Sequence, residues 1–426
     1  MSGPGLLGRR KLSQGEVDMI VAAHERFVSG RPGGKRASLR YVDISDCVLS
    51  GRNLADADIS ASILDGAKLV GTKLDRATLF GSDLRKADLS GASLVRADLR
   101  GACLRGANLT QADLTQADFR IGQVAVPHPV KGLSATSHEH RHGQLDAAVF
   151  AGATLDQSQM EDVTAFAADF TDCSMKGAKL SRANFKDANL SGVIFDGAEV
   201  GGANFEGANL SYAVMTDVDL RGVRTSSTTD QTGLIATPTP ETIARAPQLL
   251  AMLQANHLWC QTGGREGQPA NLDGEDLRPL RGKLRGLRLS ACSMKGAIMV
   301  GLDLTGAQMQ GANLEGADLR GACFADADLR GIRLGQANLV RADLRDAVFA
   351  PLPISADRTT PGNLTNAQIR FAHAEGCDLT GAVLDGADLR GADFTGAYLE
   401  NASFKDAQLQ AVVGLEEPRA RRIQFI

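Results

Sequence analysis

The chain has few aromatic residues and no long hydrophobic run. Aromatic residues make up 4% of its 426 residues, and Trp259 is its one tryptophan. A conventional core of this size would contain more large rings, so we expect alanine and leucine to supply a thin, regularly stacked interior. No run of about 18 apolar residues occurs, which excludes a transmembrane helix. The first residues lack the apolar segment of a signal peptide.

A strong net charge and Cys-x-x-Cys pairs are also missing. The formal net charge of -4 indicates neither a nucleic-acid-binding protein nor a uniformly acidic one. The hydrophobic content of 43% excludes a wholly disordered chain. Cys47, Cys173, Cys292 and Cys377 each stand where a recurring alanine is otherwise found. We interpret them as small, buried, reduced thiols in a cytoplasmic protein without a cofactor.

A large apolar residue recurs at every fifth position, and a small residue, usually alanine, stands two positions before it. Asp or Asn often lies between them, as in Ala97-Asp98-Leu99. Two further units, centred on Leu272 and Leu277, precede the third stretch and are out of register with it. The four regular stretches run from Leu39 to Phe119, Leu145 to Leu220, Leu284 to Phe349 and Leu364 to Leu409.

A period of five matches neither the 3.6 residues of a helical turn nor the two-residue repeat of a strand. It does match one side of a four-sided coil, in which the large residue and the preceding alanine point inward. Successive coils should then stack at the spacing of paired strands, about 4.8 Å.

These A(D/N)LxG units resemble the pentapeptide-repeat family. The resemblance implies an all-β solenoid, a right-handed quadrilateral parallel β-helix, that binds other proteins. Some members of the family mimic DNA and bind type II topoisomerases; those are typically shorter, more uniformly acidic and dimeric.

Two segments outside the repeat predict helices that cap two tandem modules. Ser13 to Glu16 has the form of a capping box, and apolar residues follow at helical spacing as far as Phe27. We expect the second helix to begin at Pro247 and to end at Gly263. A shift of 233 residues places His24 on His257 and Gly34 on Gly267 without a gap.

The sequence thus predicts one plan used twice: a helix, a stack, an insertion and a second stack. The segments are 1–36 with the first helix, 37–119 (stack 1a), 120–144 (insertion loop), 145–221 (stack 1b), 222–246 (linker), 247–271 (second helix and turn), 272–349 (stack 2a), 350–363 (insertion loop), 364–412 (stack 2b) and 413–426 (tail).

The candidate partner-binding residues lie in the helix and turn of each module: His24, Gly34, His257, Trp259 and Gly267. We favour a structural role for the two histidines, as hydrogen-bond partners of the first coil. The glycine-rich turns differ from phosphate loops because the helix precedes them. No nucleophile–base pair stands out, so we expect no catalytic residues and no enzyme.

The first insertion contains four of the seven histidines, including His138, His140 and His142. A transition-metal site is chemically feasible there, but no partner Cys or His stands in metal-finger spacing. We therefore favour a solvated loop and predict no metal.

The second stack of each module is acidic. Residues 145–220 carry 4 basic and 12 acidic side chains, a net charge of -8, and residues 364–409 carry 3 and 7, a net charge of -4. Either the acidity is incidental to the repeat, or it forms a negative face for a basic partner.

Three hypotheses follow: a non-enzymatic scaffold or adaptor, a DNA-mimicking regulator of a type II topoisomerase, and a ligand sensor at the helix–turn modules. We expect protein partners and no direct nucleic-acid binding. The sequence leaves open whether the chain forms a homodimer.

Overall fold

The structure is a computed structural model that describes residues 9–128, 132–355 and 357–415, with only the backbone of residues 125–128 and 132–137. The chain divides into two compact units, Met1–Thr237 and Pro238–Ile426. Residues 416–426 of the predicted tail lie outside the described residues. Within the described residues, no helix has the length and apolar character needed to cross a bilayer.

Most of the β structure consists of single-residue parallel bridges, so the named elements are few. In chain order they are β1 (Arg10–Lys11), α1 (Gln14–Val28), β2 (Val42–Asp43), β3 (Gly122–His128), β4 (Gly132–Arg141), β5 (Val214–Met215), β6 (Ile235–Ala236), α2 (Pro240–Gln261), a 3-10 helix (Arg278–Leu280), β7 (Leu352–Ser355) and β8 (Arg358–Thr360).

Residues twenty positions apart pair in parallel, so four five-residue units make one turn. Thr78 pairs with Asp98, for example, and the backbone N–H of Leu79 donates to the carbonyl of Asp98 at 2.8 Å. The Asp98 N–H donates in turn to the carbonyl of Ala77 at 3.0 Å. Each turn thereby satisfies the backbone groups of the next, as the strands of a parallel sheet do.

The interior consists of the predicted large residues and alanines. Leu99 and Ala97 are buried, as are their counterparts in nearly every unit. In the second half of unit 1 the large position is often phenylalanine, and the rings of Phe150 and Phe170 stack with centroids 4.7 Å apart. Alanine at the second inward position leaves room for these larger side chains in a narrow core.

Each five-residue unit ends in a tight corner. At one such corner the N–H of Ala67 donates to the carbonyl of Leu64 at 3.0 Å, and Gly66 between them has a φ of +68°. A turn with positive φ at its third residue favours glycine or asparagine. This backbone requirement explains the glycine in the repeat.

Helix α1 closes the start of unit 1. It has the predicted capping box, in which the Ser13 side chain and Glu16 exchange hydrogen bonds. Val17 and Val21 belong to the same buried cluster as Leu39. β1 pairs in parallel with β2, so the chain before α1 also joins the first turn.

Helix α2 begins seven residues before Pro247, where the sequence placed its start. Thr239 accepts a hydrogen bond from the Thr242 N–H, and Pro240 occupies the first turn. Both are favourable start signals. Pro247 lies inside the helix, so its presence was a misleading start signal.

Much of the predicted linker 222–246 belongs to the β-helix instead. Arg224 pairs with Asn204, and Asp230 pairs with Asn209. β6 then pairs with β5. The five-residue pattern is not visible in the sequence here for two reasons. This turn contains one extra residue, and it lacks the large inward residues of the repeat. α2 begins only a few residues later.

Both insertions form β-hairpins, although the sequence predicted loops. β3 pairs antiparallel with β4, and β7 pairs antiparallel with β8. β-branched residues such as Val124 favour these strands. The turns continue across the insertions, because Cys103 pairs with Gln144 and Arg333 pairs with Asn363. Stacks 1a and 1b are therefore joined by continuous pairing, and so are stacks 2a and 2b.

Candidate interaction surfaces

His24 joins α1 to the first turn of unit 1. The Ala37 N–H donates to its Nδ1 at 3.0 Å, so the proton of the neutral ring lies on Nε2, 2.9 Å from the carbonyl of Ala55. The side chain is 0% exposed. Burial lowers the pKa of His24, with a smaller effect in the same direction from Arg36, while the Ala55 carbonyl, Asp56 and Glu25 oppose it. The neighbouring Glu25 accepts the Asn53 N–H at 3.1 Å.

Asn256 does in unit 2 what His24 does in unit 1. Its Oδ1 accepts the Ala270 N–H at 2.8 Å, and its Nδ2 donates to the Ser290 carbonyl at 3.3 Å. His257 Nδ1 accepts the Arg288 N–H at 3.0 Å, which is the role of Glu25 in unit 1. The predicted equivalence of His24 and His257 is therefore wrong by one position.

The one-residue error has a simple cause. Thirteen positions separate His24 from Ala37, and fourteen separate Asn256 from Ala270. The ungapped alignment matched the glycine turns and so shifted the helices. The buried helix residues would have revealed the correct register, because Val17, Val21 and His24 have the same spacing as Leu249, Leu253 and Asn256.

Gly34 and Gly267 allow the chain after each helix to pass close to the helix. A Cβ on Gly34 would lie 2.4 Å from the backbone nitrogen of Phe27. A Cβ on Gly267 would lie 2.1 Å from the carbonyl oxygen of Ala255 and 2.8 Å from the Trp259 nitrogen. All five candidate partner-binding residues thus lie in the helices or in the turns that follow them. Partner binding by them stays a prediction.

Many outward aspartates pair with an arginine two residues later. Arg100 Nε donates to Asp98 Oδ1 at 2.9 Å, and Arg100 Nη2 donates to Asp98 Oδ2 at 2.8 Å. The two side chains flank the buried Leu99 and neutralise each other on the same side of the turn. The pairs are Asp83–Arg85, Asp98–Arg100, Asp118–Arg120, Asp219–Arg221, Asp276–Arg278, Asp318–Arg320, Asp328–Arg330, Asp343–Arg345 and Asp388–Arg390.

The acidic stretch of unit 1 differs in this respect. From residue 145 to 218 no Asp-x-Arg sequence occurs. Asp169 there accepts hydrogen bonds from the N–H and hydroxyl of Thr171. Arg182 pairs with Asp162 one turn away, so the stretch also contains a cation among its carboxylates. The negative charge of this stretch is therefore less compensated than that of stack 1a, but Arg182 interrupts it.

Each hairpin is seated on two corner glycines. Val124 of β3 is 3% exposed, and a Cβ on Gly81 or Gly101 would approach its Cγ2 to 2.9 or 3.2 Å. Leu352 of β7 lies in the same way against Gly331 and Gly311, where an added Cβ would approach its side chain to 2.7 and 3.5 Å. These contacts fix the base of each hairpin on the β-helix.

Among the insertion histidines whose side chains the structure describes, His138, His140 and His142, no shared site is formed. His138 and His140 are exposed on β4, and His142 Nδ1 lies 2.9 Å from the carbonyl of Asp162. Across the described residues, no three His, Cys, Asp or Glu side chains are grouped as metal ligands would be.

The chain belongs to the pentapeptide-repeat family. The family profile described as pentapeptide repeats (8 copies) matches it over most of its length, and membership of this family means a right-handed β-helix. The matched segments are 43–81, 53–91, 92–120, 144–182, 166–206, 192–224, 283–321, 322–350, 363–401 and 384–412.

Several solved pentapeptide-repeat proteins are similar to this chain. Rfr23 from the cyanobacterium Cyanothece 51142 is 23% identical over 32% of this chain and 90% of its own, with a TM-score of 0.22. HetL from Nostoc sp. strain PCC 7120, involved in heterocyst differentiation regulation, is 19% identical over 91% and 93%, with a TM-score of 0.13.

A third is a pentapeptide-repeat protein of the Arabidopsis thaliana thylakoid lumen. It is 32% identical over 30% of this chain and 72% of its own, with a TM-score of 0.13. No curated protein sequence matches the chain. The family assignment rests on the repeated profile matches.

Proposed function

We propose that this protein is a non-enzymatic scaffold or adaptor that binds other proteins through the flat faces and hairpins of its β-helices. Each twenty-residue turn has four sides in this proposal, and α1 and α2 cap two tandem modules. The proposal places the protein in the cytoplasm, without a cofactor and without direct binding to nucleic acid.

The observation that carries the proposal is that polar side chains, both outward and buried, form hydrogen bonds within the fold. Pairs such as Asp98 and Arg100 bond to each other across one side of a turn, and the polar atoms of His24 and Asn256 bond to the backbone. An active site needs reactive groups that converge on one point. Flat, self-paired surfaces suit contact with another protein.

Affinity purification of the tagged chain from its native host, followed by mass spectrometry, tests the proposal. We expect a small set of proteins to be retained specifically. A matched bait should carry alanine at Val124 and Leu352, which seat the hairpins, so that loss of a partner points to a hairpin. If no protein is enriched over an untagged control, the scaffold proposal fails.

The less compensated charge of residues 145–218 supports a second candidate, a DNA-mimicking regulator of a type II topoisomerase. Such mimicry needs a continuous acidic stripe, which Arg182 interrupts. A supercoiling assay with purified gyrase distinguishes the scaffold function from DNA mimicry. Inhibition that strengthens in Arg182→Gln would favour mimicry, and an unaffected reaction would remove it.

The ligand-sensor hypothesis finds less support. In both modules the central side chains, His24 and Asn256, are buried and form hydrogen bonds within the fold. A sensor would need these groups to face a cavity. Light scattering of the purified chain measures its oligomeric state and tests whether it forms a homodimer, which the sequence leaves open.

A further inference from the structure

A shallow depression lies on one side of unit 1, where the first stack passes into the second. Lys86 and Arg105 line one end of it, Gly106 and Asp146 the middle, and Thr164, Phe166 and Asn184 the other end. Gly106 leaves the surface of the depression open at its corner because it has no side chain. A Cβ at this position would lie 4.0 Å from the Lys86 Cγ.

The basic end of the depression contains a lysine without an ion-pair partner among the described residues. Arg105 Nε lies 3.3 Å from Asp146 Oδ2, and Asp146 Oδ1 accepts the Phe166 N–H at 3.0 Å. Both oxygens of this carboxylate are therefore in use. Lys86 is exposed and takes part in none of the ion pairs found among the described residues. The lining thus carries two cations and one anion.

The other end exposes an aromatic ring. Phe166 follows an inward residue, a position that is mostly polar or small in unit 1, and it is 46% exposed. Phe80 occupies the same kind of position, but the Arg100 guanidinium covers its ring at 5.5 Å. An exposed ring beside a cation is a common feature of protein-binding surfaces.

One polar atom of the depression lacks a partner. Thr164 Oγ1 is buried and forms no hydrogen bond. A buried hydroxyl without a partner is unfavourable.

We infer that this depression binds an acidic segment of a protein partner, with its carboxylate on Lys86 and Arg105 and an apolar side chain on Phe166. The inference rests on the proposed scaffold function and names the chemistry of the partner. A small-molecule ligand is disfavoured because such ligands are mostly enclosed by their sites, whereas this depression is open along its length.

The turns set the spacing of the two contacts. Backbone bonds link Lys86 to Arg105, Gly106 to Asp146 and Ala147 to Phe166, so Lys86 and Phe166 lie three turns apart. Three strand spacings amount to about 14 Å, which an extended peptide covers in about four residues. The segment should therefore have its acidic and apolar residues about four positions apart.

Selection from a displayed random peptide library against the immobilised full chain tests the inference. We expect enrichment of peptides with Asp or Glu about four residues from an aromatic or aliphatic residue. A labelled selected peptide should bind about tenfold more weakly to Lys86→Glu and to Phe166→Ser, and Lys86→Arg should retain binding. The matched controls, Lys73→Glu and Val70→Ser, change exposed residues in other units of the turn and should bind as the wild type.

Two results would overturn the inference: selected peptides without the acidic and apolar pair, or equal binding by Lys86→Glu and Lys73→Glu. Titration with inorganic phosphate alone is a further arm, and saturation by phosphate with no peptide selected would mean a small-anion site instead. Circular dichroism confirms that each variant folds.

Affinity purification with the Phe166→Ser bait keeps the two proposals apart. A partner retained equally by this bait and by the wild type contradicts the depression and leaves the scaffold function standing. A wild-type bait that retains nothing contradicts the scaffold function itself.

Discussion

His24 and Asn256 show that two different side chains can hold a helix on a β-helical turn in the same way. Each accepts a hydrogen bond from the backbone N–H of an alanine and donates one to a carbonyl in the first turn. A neutral imidazole and an amide both offer one acceptor and one donor. They differ in that only the imidazole can be protonated near neutral pH.

We predict that unit 1 loses stability as the pH falls below the ordinary histidine pKa of about 6.5. Burial lowers the pKa of His24 in the folded chain, so the unfolded chain binds more protons in the interval between the two pKa values. Stability therefore decreases with decreasing pH through that interval and levels off below the folded pKa. The denaturant midpoint of unit 1 measures this loss of stability. It is determined at several pH values from the exposure of Cys47 to alkylation.

The control for this prediction is His24→Asn, which copies unit 2. The variant should fold and should lose the part of the pH dependence that comes from His24. If the denaturant midpoint changes equally in the wild type and the variant between pH 7.5 and pH 5.5, His24 is not the source of the pH dependence.

At the scale of the single turn, the corners couple one turn to the next. Asp172 has a φ of +55° at its corner, and Gly192 occupies the same corner one turn later with a φ of +71°. A Cβ on Gly192 would lie 2.2 Å from Asp172 Oδ1. The carboxylate thus fills the space above the glycine. Asp187 and Gly207 repeat the arrangement.

Gly192→Ala should therefore destabilise unit 1 by more than Gly197→Ala. Both positions have positive φ, which costs an alanine about 1 kcal/mol, but a Cβ on Gly197 meets no atom within 4 Å. The clash with Asp172 should add about 1–3 kcal/mol. Urea unfolding of the two variants measures the difference, and equal midpoints would show that the carboxylate simply moves aside.

The narrow core makes a second prediction for the turn. Ala97 is fully buried at the second inward position, so Ala97→Leu should overpack the interior and lower the stability by about 1–3 kcal/mol. Lys73→Leu adds a leucine at an outward position and is the comparison. A melting temperature of Ala97→Leu that matches this comparison would contradict the inward assignment.

The repeat was predictable from the sequence because Leu99 and its counterparts keep a strict period of five. Elements that depart from this period were not. The turn that contains Arg224 and Asp230 has an extra residue, and the start of α2 was hidden by Pro247. Asn256 was missed because hydrogen-bonding equivalence between His and Asn is not visible in a comparison of residue types.

For the molecule as a whole, the turns should respond to damage locally. Each turn bonds to the turn before it and the turn after it, which makes such a stack nearly one-dimensional. The buried thiols are natural reporters. Cys47 and Cys173 lie in unit 1, and Cys292 and Cys377 lie in unit 2. Burial raises the pKa of the Cys292 thiol to about 12, so it should react slowly while folded.

We predict that Gly192→Ala lowers the denaturant concentration at which Cys173 becomes alkylated and leaves that of Cys377 unchanged. Alkylation followed by peptide mass spectrometry reads both thiols in one sample. The wild type supplies the reference midpoints. Equal shifts at Cys173 and Cys377 would mean that the two units unfold together.

The hairpins also bear on how such a chain could be put to use. Cys103 bonds to Gln144 across the first hairpin as directly as Asp83 bonds to Cys103 in an uninterrupted turn. The pairing register therefore does not depend on how many residues leave the corner at Arg120 and return at Gly143. A foreign loop grafted between Val124 and Arg141 would be displayed on a rigid base, and the second hairpin offers another such position on the same molecule.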